Sequence, residues 1–129
     1  MFEQASKILN KRYDHGVFLL DMLAKTKGIR LPVLLPQTVP IFNQFPVLFD
    51  DENIKENCFE KINGNAIEST KLYPDPIHRV YDLGYDLGKD PFPNATYFSR
   101  RLLLIPTHPM MNVEKLSLIV NIIKNRLGG

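Results

Sequence analysis

Apolar and aromatic side chains return at Phe2, Ala5, Leu9, Tyr13, Val17, Leu20 and Ala24, with Ile8 and Leu23 beside them. Steps of three and four place these on one face, so the spacing predicts one long amphipathic helix over residues 2–27. Gly16 is a weak point in it, costing about 1 kcal/mol against alanine in a helix interior. Lys25 and Lys27 suit the last turn, and Gly28 can take the left-handed position that stops the helix. Residues 31–40 hold three prolines among apolar residues and read as an extended connector. Phe45, Val47, Leu48 and Phe49 then favour a strand within residues 41–49. Pro46 cannot donate to a ladder, which predicts an edge strand or one that starts just after it.

The second half alternates in the same way. Asp50 and Asp51 can cap a helix whose apolar face is Ile54, Cys58, Phe59 and Ile62, and Gly64 is its expected stop. A weak strand is expected over residues 66–72. Residues 72–109 hold six of the ten prolines and two of the three histidines. Proline fixes φ and removes a donor, so this stretch reads as a rigid, shaped loop. Within it, Asn94 can cap a short helix running to Arg101, and the apolar run 102–105, halted by Pro106, reads as a short buried strand. Asn112 caps the last helix, with Val113, Leu116, Ile119, Val120, Ile123 and Leu127 on its inner face. This order predicts a small α/β or α+β layer. It has a sheet of about three strands, antiparallel or mixed, flanked by helices. Residues 1–129 read as one domain, with 1–28 as the long helix and 41–129 as the α/β body.

Composition narrows the partners more than the fold. A chain of 129 residues with 44% hydrophobic and 23% charged residues can build a core, and a net charge of +2 from scattered basic residues does not point to nucleic acid. The single cysteine, Cys58, excludes an internal disulfide framework and fits a reducing compartment. No apolar run reaches the roughly 20 residues needed to span a bilayer, and the first residues carry no apolar signal segment. The expectation is a soluble, cytoplasmic protein.

The candidate chemistry is sparse. His15, His78 and His108 show no metal-ligand spacing. Cys58 reads as a core thiol on an apolar helix face. Gly84 and Gly88 do not follow a strand, so no phosphate-binding fingerprint is present. Asp82, Asp86 and Asp90, spaced by four, read as a solvated acidic edge. Arg100 and Arg101 read as a solvated face or as carboxylate partners. His108, between Thr107 and Pro109, reads as a turn residue. His78, at the end of a rigid turn, either satisfies a local backbone group or lends an imidazole to a site. No complete catalytic set is visible.

Four short motifs change this reading. Tyr73-Pro74-Asp75-Pro76-Ile77-His78, Leu83-Gly84-Tyr85, Phe92-Pro93-Asn94-Ala95 and Leu104-Ile105-Pro106-Thr107-His108-Pro109 stand in this order. Together they resemble the C-terminal part of the DegT–StrS family of pyridoxal-phosphate-dependent sugar aminotransferases. The resemblance implies the small domain of a fold-type I enzyme, a short antiparallel sheet flanked by helices. For complete members it implies transamination of a keto-sugar on a nucleotide carrier, in homodimers with the cofactor between domains and subunits. It implies too that the aldimine-forming lysine and the phosphate-binding residues belong to a large N-terminal domain. No serine-x-x-lysine motif of that kind occurs here, so no catalytic lysine is assigned and no pyridoxal phosphate is expected covalently bound to this chain. The implied partners are that large domain or a second copy of the chain, and a nucleotide sugar, with neither nucleic acid nor membrane. His78 and Tyr73 are carried over as substrate-binding candidates. Two departures stand out: a short segment after His78, and Thr96 where a glutamate is common. The alternative is a non-catalytic, stand-alone module that binds a nucleotide sugar or a protein partner.

Overall fold

The computed structural model describes residues 2–128. Five helices and a three-stranded antiparallel sheet make an α+β fold. The helices are α1 (Phe2–Leu23), α2 (Glu52–Asn63), α3 (Ile77–Val80), α4 (Pro93–Arg101) and α5 (Val113–Arg126). The strands are β1 (Ile29–Arg30), β2 (Gln44–Phe49) and β3 (Leu102–Pro106), in the order β1-β2-β3.

Helix α1 is long, as its spacing predicts, but its inward face differs from the expected stripe. Gly16, Leu19 and Leu23 are its buried residues, while Phe2, Ile8 and Leu9 are exposed. Only the second half of α1 packs, against α5 and β2. The helix stops at Leu23, before the expected lysine turn, where Lys25 turns to a φ of 64°. Gly28 does adopt a left-handed φ of 89°, but it leads into β1 instead of ending the helix. Its carbonyl accepts from the Asp50 amide at 2.9 Å, which extends the β1–β2 ladder by one bond.

Pro46 lies inside the central strand, contrary to the edge position its chemistry predicts. The register explains how. Pro46 faces Leu104 of β3, and the Leu104 amide and carbonyl both bond Thr70 on the far side of that strand. Pro46 and Leu104 are therefore a non-hydrogen-bonded pair, and the Pro46 nitrogen points away from β3. On that side β1 has already ended, since Arg30 pairs with Leu48. The missing donor costs nothing because β2 is locally an edge there.

The expected strand over residues 66–72 shrinks to the single Thr70–Leu104 bridge. Ala66 and Leu72 have φ of 59° and 53°, which breaks an extended run at both ends. Alternation along β2 and β3 sends Phe45, Val47, Phe49, Leu103 and Ile105 into one core with Leu19, Leu23, Cys58 and Ile62. Leu116, Ile119, Val120 and Ile123 of α5 close that core, whereas Val113 is exposed, because it sits at the first turn. Asp51 caps α2 by accepting from the Ile54 amide at 3.0 Å, and Asn112 caps α5 by accepting from Lys115 at 2.9 Å. Asn94 is not a cap. Helix α4 opens with Pro93 at its first position after Phe92, where proline's missing amide is harmless.

One buried residue has no signature in the apolar pattern. Lys55 is 2% exposed and shares the inner face of α2 with Cys58 and Ile62. Its amine donates to Glu56 at 2.6 Å, and Lys71 reaches the same carboxylate at 3.1 Å. Burial opposes ionisation of Glu56, and the two lysines outweigh it, holding the carboxyl below its usual range. Cys58 is fully buried, and that burial pushes its thiol up to about 11.

Candidate functional site

The proline-rich stretch walls a groove of about 990 Å³, lined almost wholly by apolar and aromatic side chains. Its walls come from the turn around Tyr73 and Pro76, from α3, from the Tyr85 loop and from α4. The stretch is not irregular throughout. Pro76, at φ −71° and ψ 152°, starts the one-turn helix α3, whose amides at Arg79 and Tyr81 bond back to Pro76 and Ile77.

His78 and Tyr73 both line this groove, in different ways. Tyr73 stands at the rim and is 69% exposed, whereas His78 is packed to 3% exposure on the inner side of α3. The His78 ring meets Phe92 edge-on, with centroids 5.0 Å apart, and Phe92 meets Tyr85 in the same manner at 5.0 Å. The partner of His78 is no backbone group. Its Nε2 lies 3.0 Å from Oδ1 of Asp90.

Asp90 is the centre of the site, and this corrects its reading as part of a solvated edge. It accepts from Thr96 Oγ1, from the Phe92 amide at 2.9 Å, from Arg79 at 3.2 Å and from His78. The hydrogen bond from Thr96 is the largest cause that holds its carboxyl well below the usual carboxylate range. The bonds from Phe92, Arg79 and His78 add to it, and desolvation opposes them. Asp82 and Asp86 do stand exposed, but they act locally: each accepts from the amide two residues on, at Gly84 and Gly88. Asp82-Leu83-Gly84, Asp86-Leu87-Gly88 and Asp90-Pro91-Phe92 are three Asx turns in succession with a period of four. That period was the sequence signal for this loop, because aspartate followed by an amide two residues on is a turn with a mechanism.

The other candidates lie elsewhere. His15 donates from Nδ1 to the Thr107 carbonyl at 2.9 Å, and the buried Thr107 hydroxyl donates to the Phe42 carbonyl, tying α1 to the chain entering β2. His108 forms a turn with the Met111 amide, and its Nδ1 is buried with no partner. Arg101 stacks over Tyr97 at 4.3 Å and donates to the Asp50 carbonyl, and among the described residues it pairs with no carboxylate. Among the described residues, no three His, Cys, Asp or Glu side chains gather as a metal site, and no helix is long and apolar enough to cross a membrane.

Residues 1–124 match the model of the DegT/DnrJ/EryC1/StrS aminotransferase family. The chain belongs to this family. No curated protein matches it. Among solved structures it is similar to DesV of S. venezuelae, in complex with a ketimine intermediate, at 21% identity and a TM-score of 0.81 over 99% of this chain and 34% of DesV. The aminotransferase TlmJ of Streptoalloteichus hindustanus is similar at 17% identity and a TM-score of 0.80, over 98% of this chain and 34% of TlmJ. PseC of Helicobacter pylori, an aminotransferase involved in the biosynthesis of pseudoaminic acid, is similar at 18% and 0.77, over 98% and 34%. This member of the DegT/DnrJ/EryC1/StrS family thus spans about a third of the length of the structures it matches.

Proposed function

We propose that this chain is the substrate-side, C-terminal part of a pyridoxal-phosphate-dependent sugar aminotransferase, acting in the cytoplasm on a nucleotide-linked sugar. The observation that carries the reading is convergence. The Tyr73–His78 turn, Tyr85 and the Phe92–Ala95 segment, well separated in sequence, wall one groove. Leu104 of the fourth motif ties the chain that enters that wall to the sheet, through its two backbone bonds with Thr70. A concave apolar surface with a few convergent polar groups is the usual form of a small-molecule site. Within it, Tyr73 at the rim and His78 on the wall are the residues proposed to meet the sugar.

The groups present do not fit pyridoxal phosphate as a resident of this chain. The one lysine lining the groove, Lys71, spends its amine on Glu56 and lies over the Phe59 ring at 4.5 Å. Lys55, buried, bonds the same carboxylate. We assign the cofactor's lysine and phosphate cradle to the large domain implied by the family, and the chain's own task to shaping and contacting the substrate.

Two measurements test this. Incubation with pyridoxal phosphate, borohydride reduction and mass analysis should give no stoichiometric adduct at a single lysine. Titration of the isotope-labelled chain with a uridine or thymidine diphosphohexose should move amide resonances within residues 71–99. A defined lysine adduct, or resonance shifts confined to other parts of the chain, would overturn the reading.

A further inference from the structure

The environment of His78 determines which of its nitrogens carries hydrogen. Asp90 Oδ1, 3.0 Å from Nε2, belongs to a carboxylate that accepts four hydrogen bonds and has no proton to give. Nε2 must therefore be the donor. Among the described residues Nδ1 has no hydrogen-bond partner, yet it is not among the polar atoms sealed inside the protein. His78 itself lines the groove. The second ring nitrogen is thus the atom left over for a ligand.

We propose that Asp90 is a positioning residue that locks His78 as the Nε2–H tautomer, so that the groove presents unprotonated Nδ1 as an acceptor for a sugar hydroxyl. The ligand half of this inference rests on the function proposed above, and the tautomer half stands on the geometry alone. Every part of the Asp90 environment serves the lock. Thr96 and Arg79 hold Oδ2, which fixes the rotation of the carboxyl group. The Phe92 amide shares Oδ1 with His78, which fixes the height of that oxygen against α3. Phe92 then packs its ring edge-on to the imidazole, so the ring cannot flip to exchange its nitrogens without displacing an aromatic neighbour. The choice of tautomer by the partner of the opposite nitrogen is the general way in which an imidazole is poised.

The protein contains its own reference for the test. His15 donates from Nδ1 to a backbone carbonyl, so it is held as the opposite tautomer, far from the groove. Long-range nitrogen–proton spectra of the labelled chain, read at the alkaline plateau of a pH series, should show His78 protonated at Nε2 and His15 at Nδ1. Asp90→Ala should leave the His15 pattern unchanged and turn His78 into a mixture of both tautomers. Asp90→Asn keeps a carbonyl oxygen where Oδ1 stands and should restore the Nε2–H form. A wild-type His78 protonated at Nδ1 would overturn the proposal, and that measurement needs no variant, so it decides even if Asp90→Ala fails to fold. An Asp90→Ala protein whose His78 keeps the wild-type pattern would overturn it as well.

A diphosphohexose titration then separates the two halves. A shift at His78 Nδ1 in the wild type, with affinity at least fivefold weaker in Asp90→Ala and recovered in Asp90→Asn, supports both. A tautomer that responds as stated while the sugar moves no groove resonance sustains the lock and overturns the ligand assignment.

Discussion

Replacing Gly16 by alanine should destabilise this protein, although in an isolated helix the same change would stabilise it. Alanine gains about 1 kcal/mol over glycine in a helix interior. Against that, a β-carbon at Gly16 would overlap three atoms of the Phe42 ring, Cγ, Cδ2 and Cε2. The ring has little freedom to yield. Phe42 is 7% exposed and lies between Tyr13 and Phe45, at centroid distances of 6.3 and 5.7 Å. Its backbone is held as well, since its carbonyl accepts from Thr107 and its φ is 49°. Overpacking a core position of this kind costs about 1–3 kcal/mol, so after the helix gain the net expectation is a loss of up to about 2 kcal/mol. Urea unfolding should show a lower midpoint with an unchanged slope. The decisive comparison is the same substitution in a Phe42→Ala background. There the obstacle is gone, propensity alone acts, and Gly16→Ala should raise the midpoint. An increase in the wild-type background, or an equal decrease in both, would refute the argument that close approach to Phe42 is what requires glycine.

Further expectations follow from three buried or hydrogen-bonded groups. Thr107→Val keeps the shape but strands the Phe42 carbonyl, which should cost about 1–3 kcal/mol in equilibrium unfolding. Cys58, with its thiol raised to about 11 by burial, should resist a thiol reagent in the folded chain at mildly alkaline pH and react on unfolding. Because the raised value belongs to the folded state, its stabilisation is lost as pH rises from the unfolded value towards 11, and Cys58→Ala should flatten that alkaline limb. Asp90 is shifted the other way, so its contribution is present above the unfolded carboxylate value of about 4 and lost as pH falls below it. Acid unfolding monitored by circular dichroism should therefore show a shallower limb in Asp90→Asn.

The parts legible in the sequence were those with a period or a cap. Most of the faces of α2 and α5, apart from Lys55 and Val113, the caps at Asp51 and Asn112, and the apolar run of β3 carry local signals that tertiary packing did not override. Strand β1 was not legible, because two residues cannot show alternation and it exists only through its pairing with Leu48 and Phe49. The buried half of α1 was not legible for a related reason. Its apolar stripe extends over the whole helix, and only the fold decides that the half around Gly16, Leu19 and Leu23 is the one covered. At the site, the sequence singled out His78 but not Asp90, twelve residues on, which holds it. Charge spacing alone made Asp82, Asp86 and Asp90 equivalent, whereas the third differs because Thr96 and Arg79 converge on it from the flanking helices.

That difference bears on how the loop keeps its shape. Residues 79–95 contain no buried side chain, so hydrophobic burial cannot hold this segment as it holds the sheet. Val80, Tyr81, Leu83, Tyr85, Leu87 and Phe92 stay at least 42% exposed. What fixes the backbone is polar: two Asx turns and then the Asp90 hub, which ties the end of the loop to α3 and α4. Loss of Asp90 should therefore loosen the loop while the core of β2, β3 and α5 stays closed. Loss of the Thr107 bond should act on the whole fold. Native-state hydrogen exchange can separate these two cases, since locally and globally opening amides respond differently. Asp90→Ala should accelerate the amides of Tyr81 and Phe92 and leave Ile105 and Val120 near their wild-type rates. Equal acceleration at all four would mean that the loop and the core open as one unit, and that the groove wall is not a separately held surface.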